Sequence, residues 1–259
     1  MRSISIATWN IGSLYKDYER ILDYIGSLLE SQSADILCVQ ECPDNDEVFN
    51  VISSRGGFDE MLFRVTSESH VGEAHNMGTA VFSRTPLLLF EQLPLKKPEV
   101  EVEYNGAREY WHDKCFFSVG CKFGDTELTV VTGHGFPFHR YGLENEESAD
   151  IIKPSFAALD GWMSGIAEAQ SNRFVCSAAD FNLNSPLKYM PLCRDAFYDI
   201  FEGESTRPSG RKTDAILVPK GTEVEFKVNI VPPAEESVGE ARAQGMLDHN
   251  YISAKILLP

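Results

Sequence analysis

The sequence predicts a single layered α/β domain, and three patterns in it carry that prediction. The chain opens on a strand, a helix and a second strand. Short apolar runs of strand length then recur through the remainder of its 259 residues. A second amphipathic helix stands between two of those runs. Elements mixed in this way pack as layers of sheet and helix, and the length suits one such domain with a substantial core.

Residues 3–8 alternate, with Ile4, Ile6 and Thr8 on one face and Ser3, Ser5 and Ala7 on the other, which is the period of a strand. Residues 16–30 set Ile21, Leu22, Ile25, Leu28 and Leu29 on one stripe, as an amphipathic helix requires. Residues 36–40 form a short apolar run, the mark of a strand covered on both faces. Further strands are expected at residues 79–83, 116–122, 127–132, 174–177, 215–218 and 251–256. Residues 154–170 space Phe156, Leu159, Trp162, Met163 and Ile166 as a helix does, with Pro154 suited to its first turn. Residues 95–113, 143–150 and 232–245 are rich in charge, proline or glycine and read as loops. No repeat and no low-complexity tract divides the chain, so residues 1–259 are read as one domain.

Composition narrows the function. Lysine and arginine number 23 against 39 aspartates and glutamates, a formal charge of −16. Sequence-independent nucleic-acid binding draws its affinity from basic residues on phosphates, so a protein that coats nucleic acid is excluded. An enzyme whose carboxylates hold a divalent cation, which then meets a phosphate, is compatible with that charge. No apolar run reaches the length of a membrane span. Met1-Arg2-Ser3 leads straight into a strand pattern, from which no signal peptide and a cytoplasmic location are expected. The six cysteines, several inside apolar runs such as Phe174-Val175-Cys176, are expected to be reduced and packed in the core.

The chemistry lies where apolar runs stop. The first strand ends in Thr8-Trp9-Asn10-Ile11-Gly12 and the second in Gln40-Glu41-Cys42. Later runs adjoin Gly133-His134-Gly135, Ala179-Asp180-Phe181-Asn182, Thr213-Asp214 and Leu247-Asp248-His249. In a layered α/β fold such ends converge on one rim, where sites form. Taken singly each has a structural alternative: Asn10 as a turn residue, Glu41 as a solvated carboxylate, His134 as a core histidine, Asp180 and Asn182 as an Asx-turn.

Taken together, in order, these segments resemble the endonuclease/exonuclease/phosphatase superfamily. Gly78-Thr79-Ala80-Val81-Phe82-Ser83-Arg84 and Thr206 add to the likeness, which runs from Ala7 to Ile256. The resemblance implies a DNase I-like four-layer α/β/β/α sandwich of two mainly antiparallel sheets. It also implies hydrolysis of a phosphate ester by in-line attack of water, with no covalent enzyme intermediate. Glu41, Asp248 and Asn10 would hold Mg²⁺, with Mn²⁺ as a substitute. Asp180 would orient or deprotonate the water; Asn10, Asn182, His134 and His249 would contact the phosphate, with Asp214 fixing the tautomer of His249. Histidine at position 134 is similar to DNase I-like and sphingomyelinase-like members and counts against abasic-site repair.

The sequence departs from the family pattern at Ala179, Leu247, Gly12 and Met77. Met77 stands roughly where DNase I places a glutamate beside its histidine, so the partner of His134 is left open. A nuclease-type phosphodiesterase is the first functional expectation. A phosphatase or phosphodiesterase acting on a nucleotide, phosphoinositide or sphingomyelin-type head group is the alternative. Lys96-Lys97 and Arg211-Lys212 are the only adjacent basic pairs, so no basic stripe supports nucleic acid. A pocket for a small ester would be shaped by Trp111, His112, Phe136, Phe138, His139 and Arg140, residues that loop packing alone also explains. An inactive binding scaffold is the third reading, which the intact set of polar residues disfavours. No obligate protein partner is expected.

Overall fold

The computed structural model describes residues 2–12, 18–67, 76–169, 173–207, 209–225 and 249–258. The strands are β1 (Arg2–Asn10), β2 (Ile36–Pro43), β3 (Glu60–Ser67), β4 (Met77–Ser83), β5 (Leu87–Pro94), β6 (Val102–Tyr104) and β7 (Ala107–Glu109). They continue with β8 (Cys115–Phe123), β9 (Thr126–Gly133), β10 (Arg173–Asp180), β11 (Phe197–Asp199), β12 (Asp214–Pro219), β13 (Val224–Glu225) and β14 (Ile252–Leu258). The α-helices are α1 (Tyr18–Ser31), α2 (Asp46–Gly56), α3 (Ala149–Ala169) and α4 (Pro191–Ala196).

Two six-stranded sheets run in the orders β13-β14-β1-β2-β4-β3 and β11-β12-β10-β9-β8-β5. Their facing sides bury Ile4, Ile6, Ile36 and Cys38 against Phe117, Val119, Leu128, Val130 and Cys176. The outer face of the first sheet, with Trp9 and Val39, is covered by Ile25 and Leu29 of α1 and Val48 and Ile52 of α2. The outer face of the second, with Val131, Val175 and Leu217, is covered by Phe156, Leu159 and Met163 of α3 and Cys193 of α4. This is the α/β/β/α sandwich. Each large side chain fully buried in these layers contributes roughly 2 kcal/mol from removal of apolar surface.

Both sheets share a plan. The parallel pair β1–β2 lies between antiparallel neighbours β14 and β4, and the parallel pair β9–β10 lies between β8 and β12. The sheets are tied near one rim by a polar chain. Thr8 donates from Oγ1 to Gln40 Oε1 at 3.0 Å, and Gln40 Nε2 donates to Thr132 Oγ1 at 3.2 Å. Each of these side chains is buried and each finds a partner, so the layer incurs no penalty for unpaired polar atoms.

The sequence reading needs several corrections. Helix α2 was not expected; its apolar stripe is short, but Asn45 caps it by accepting from the Glu47 and Val48 amides at 2.8 and 3.4 Å, and Gly57 closes it at φ 67°. Strands β3 and β5 were likewise absent from the prediction. The stretch 95–113, read as a loop, contains the hairpin β6–β7. Its turn is Asn105-Gly106, both at positive φ, as a two-residue hairpin turn demands. Helix α3 starts at Ala149, so Pro154 stands inside the helix rather than in its first turn. The pyrrolidine ring there leaves the Asp150 carbonyl without its i+4 donor. Residues 232–245 lie outside the described residues.

The six cysteines are free and buried, as expected. Burial pushes the thiols of Cys38 up to about 12 and of Cys115 and Cys121 up to about 11. No helix among the described residues is long and apolar enough to cross a membrane.

Candidate active site

The shared plan of the sheets explains why the polar strand ends meet. In the first sheet Asn10 pairs with Gln40 at the ends of β1 and β2. In the second, Asp180 pairs with Asp214 across β10 and β12, and a bridge pairs His134 with Asp180. Residue His249, just before β14, returns to the same rim, where its carbonyl accepts from Trp9 Nε1 at 3.2 Å.

Glu41 reaches the site through a bulge. Between Val39 and Cys42 the β2–β4 register shifts, so Gln40 and Glu41 share the place opposite Thr79. Glu41 takes φ 48°, a conformation uncommon for a residue with a side chain, and such bulges re-aim side chains beside active sites. On β4, a Cβ at Gly78 would meet the Arg64 carbonyl at 2.1 Å, which accounts for the glycine in the 78–84 segment. A Cβ at Gly135 would lie 2.3 Å from the Phe181 carbonyl oxygen, so glycine after His134 lets the two segments close.

Asp180 occupies the centre and is fully buried. Its Oδ2 accepts from Asn10 Nδ2 at 2.9 Å, and its Oδ1 accepts from the Asn182 amide at 2.8 Å. The second bond is the Asx-turn foreseen as an alternative, so Asp180 serves a local turn and the site together. Asn182, at φ 54°, donates from Nδ2 to the Gly135 carbonyl at 3.1 Å. Burial and the neighbouring Asp214 push the Asp180 carboxyl up to about 6.

Asp214 and His249 form a pair. The ring Nδ1 of His249 lies 2.9 Å from Asp214 Oδ2 and 3.1 Å from Oδ1. The same Oδ2 accepts from Thr206 Oγ1 at 2.8 Å and Thr213 Oγ1 at 3.1 Å. Burial works to raise Asp214, but the imidazole and these donors outweigh it and hold its pKa below the ordinary value. Burial likewise works to lower His249, and Asp214 with Asp180 outweighs it and raises its pKa. The other ring nitrogen, Nε2, is 3.7 Å from Asp180 Oδ2.

His134 faces the same carboxylate. Its Nε2 lies 3.6 Å from Asp180 Oδ2 and 3.7 Å from Glu41 Oε1. Its Nδ1 is 3.1 Å from Lys114 Nζ, a buried lysine whose pKa burial depresses. An amine donating to Nδ1 leaves the ring proton on Nε2, toward the carboxylates. Sequence reading missed Lys114, whose only signal was a lysine abutting the apolar run from Cys115. Met77, where a partner for His134 was left open, is buried at the start of β4.

Asn10, expected as a metal ligand and a phosphate contact, is held by hydrogen bonds at both ends of its amide. Its Oδ1 accepts from the Gly12 amide at 2.9 Å, which turns Nδ2 toward Asp180 and, at 3.4 Å, Glu41. The end facing the two carboxylates is therefore a donor. Asp248, expected as a metal ligand, lies outside the described residues, as does Leu247. Asp180, Asp214 and His249 bring ligand atoms within 4.8 Å of one another, but both oxygens of Asp214 are already engaged. Glu41 is the carboxylate that lines the cavity beside the two histidines, while Glu109, which also lines it, is engaged by Arg140 and Tyr141. One hard oxygen donor beside open space fits a divalent cation that keeps most of its water, as Mg²⁺ does.

Glu41, His134, Asn182 and His249 line a cavity of about 850 Å³, the size of a small-molecule site. Its far wall is Tyr104, Arg108, Tyr110 and Trp111 from the hairpin and the residues after it. Trp111, His112, Phe136, His139 and Arg140 line it as expected. Phe138 does not; it is buried in the core behind, against Trp111 and Phe156.

Comparison with known proteins agrees with this architecture. Residues 7–165 match the model of the Endonuclease/Exonuclease/phosphatase family, and the chain belongs to that family, whose members are generally metal-dependent phosphoester hydrolases. Among solved structures, the human Nocturnin catalytic domain with bound sulfate is 14% identical at a TM-score of 0.71, over 99% of this chain and 95% of that one. An endonuclease/exonuclease/phosphatase from Bacteroides vulgatus is 14% identical at 0.67, over 100% of both chains. TDP2 from Caenorhabditis elegans is 13% identical at 0.64, over 99% of this chain and 75% of that one. At these identities the likeness is one of fold. No curated protein matches the sequence.

Proposed function

We propose that the chain hydrolyses a small phosphate ester with the help of a divalent cation, by in-line attack of water. The observation that carries this reading is the convergence of Glu41, His134 and His249 on one cavity, with both histidines backed by the buried Asp180 carboxylate at 3.6 and 3.7 Å. A cation held by Glu41, together with Asp248, would neutralise charge on the phosphate oxygens. The protein's own groups do the rest. His249, held by Asp214, donates from Nε2 to a non-bridging oxygen, and Asn10 and Asn182 add amide donors. Asp180, raised toward 6, accepts the proton of the attacking water. His134, held by the Lys114 contact in the tautomer with its proton on Nε2, donates a hydrogen bond to the phosphate or the leaving oxygen.

The pocket favours a small ester over a polymer. Tyr104, Tyr110, Trp111 and Phe136 border the same cavity as the polar groups, and the acidic surface gives a long polyanion no track. Hydrolysis of p-nitrophenyl phosphate, bis-p-nitrophenyl phosphate and supercoiled plasmid with Mg²⁺ or Mn²⁺ tests the reading, with EDTA and Asp180→Ala as controls. Activity on the small esters that both controls abolish is the expected result. Nicking of plasmid in preference to either ester would restore the nuclease reading. Silence on all three, or activity indifferent to EDTA, would sink the phosphoesterase.

A further inference from the structure

The net charge of the chain is −16, yet the cavity wall presents Arg108, Arg140, Arg207, Arg211 and Lys114 against Glu41 and Glu109. The two arginines on the hairpin side are engaged at the surface. Arg140 pairs with Glu109 at 3.0 Å and lies over the Tyr104 ring at 4.1 Å, and Arg108 pairs with Glu101. Arg207 and Arg211 belong to a separate segment, where backbone hydrogen bonds bring the two residues together. The Arg207 amide donates to the Arg211 carbonyl at 2.9 Å, and the Gly210 amide donates to the Arg207 carbonyl at 2.9 Å. Ser205 Oγ donates to the Arg207 carbonyl at 2.7 Å and to the Arg211 carbonyl at 3.0 Å. The next residue, Lys212, is buried in an ion pair with Asp199 and pins the segment from below. The basic pair Arg211-Lys212 is thus split between cavity and core.

Two polar atoms beside this segment lack partners. Arg211 pairs through Nη2 with Glu144 at 3.1 Å, but its Nε is buried with no hydrogen-bond partner among the described residues. His139 Nδ1 is buried in the same condition, and burial together with Arg211 and Arg207 pushes that imidazole down to about 4. Arg207 and Arg211 both line the cavity, and both act on the His139 imidazole, so a second negative group on a bound ester would meet two guanidinium groups there. The position is next to the reacting centre, because the same cavity is lined by Asn182 and His249.

The geometry points to a second anion subsite formed by Arg207 and Arg211, so that the substrate is a phosphoester bearing another phosphate or carboxylate beside the phosphate that reacts. This deepens the phosphoesterase reading and rests on it for the word substrate, but the subsite itself is open to a test that needs no turnover. Calorimetric titration without divalent metal would compare inorganic pyrophosphate with inorganic phosphate. Wild type is expected to bind pyrophosphate about tenfold more tightly, the worth of one good charge-assisted contact. The double variant Arg207→Gln with Arg211→Gln is expected to erase that preference while binding phosphate within about threefold of wild type. Arg211→Lys, which keeps the charge and loses the fork, is expected to fall between. Lys96→Gln with Lys97→Gln, a charge-matched change outside the cavity, is expected to keep the preference. Equal affinity for the two anions in wild type, survival of the preference in the arginine variant, or its loss in the lysine variant would overturn the subsite. A carboxylate source is distinguished by repeating the titration with phosphoglycolate, which gains as pyrophosphate does only if the subsite accepts a carboxylate. Hydrolysis is not read in any arm, so failure of the phosphoesterase reading would show separately.

Discussion

The two sheets solve the same problem with opposite results. Each ends a parallel strand pair at the site, β1–β2 with Asn10 and Glu41, β9–β10 with His134 and Asp180. In the first sheet a one-residue bulge pushes the carboxylate forward, and Glu41 keeps 22% of its side chain exposed. In the second the strand runs straight to Asp180, whose side chain is 0% exposed and bound by two donors. One carboxylate meets water and can hold a cation; the other is desolvated and holds a proton more firmly. A single inserted residue on a common scaffold is enough to separate the two roles.

Removing the withdrawn carboxylate is expected to have the largest effect. Asp180→Ala should lower kcat by about a thousandfold, the range of a lost general base, with the fold retained by circular dichroism. Retention of more than about a tenth of the activity would mean that the buried carboxylate is not the base. Changing the forward one comes next. Mg²⁺ is expected to raise the wild-type Tm, and Glu41→Gln should cost about a hundredfold in kcat and remove that rise; a Mg²⁺-dependent rise that persists in the variant would place the cation elsewhere. Lys114→Met should lower kcat about tenfold, leave KM within about twofold, and leave Tm unchanged or higher, since a buried amine is lost. An unchanged kcat would show that the tautomer of His134 does not depend on this contact.

Burial of Asp180 also sharpens the comparison through pH. Its folded pKa of about 6 stands above the ordinary 3.8, so between those values the folded protein holds a proton that the unfolded chain has released. Its contribution to stability is therefore present below the lower value and lost as pH rises through the upper. Asp180→Asn, which cannot titrate, should gain on wild type by on the order of 1 kcal/mol between about pH 4 and pH 7.5, measured by denaturant unfolding without metal. A constant difference across that range would contradict the raised pKa. The smallest expected effect is at the far wall. Tyr110 is 72% exposed, and Tyr110→Ala should raise KM about threefold with kcat and Tm unmoved.

How far the site could be read in advance follows the same division. Asn10, Asp180, Asn182, Asp214 and His249 announced themselves because each ends or adjoins an apolar strand run, and strand periodicity is a strong signal. Glu41 was legible by position, but the bulge that aims it was not, since nothing in Gln40-Glu41 marks the register shift. The orientation of the Asn10 amide rests on a bond from the Gly12 amide that no sequence pattern encodes. Arg207 and Lys114 were missed because isolated basic residues carry no periodicity, Arg211 was marked only as half of a basic pair, and the packing that makes them neighbours of His139 and His134 is not written in the sequence. The hairpin β6–β7 was readable in principle from Asn105-Gly106, but its charged strands hid it within an apparent loop. The four layers followed from hydrophobic pattern and family likeness together; α2, with a narrow apolar stripe, shows where pattern alone falls short.

The distribution of the cysteines gives the molecule a built-in clock for its own opening. Cys42 lies in the layer under α1 and α2, Cys38, Cys121 and Cys176 lie between the sheets, and Cys193 lies under α3 and α4. With every thiol buried and held in the unreactive protonated form, an alkylating reagent can reach one only when its layer parts. The order in which peptides acquire the label would therefore report which layer of the sandwich separates first.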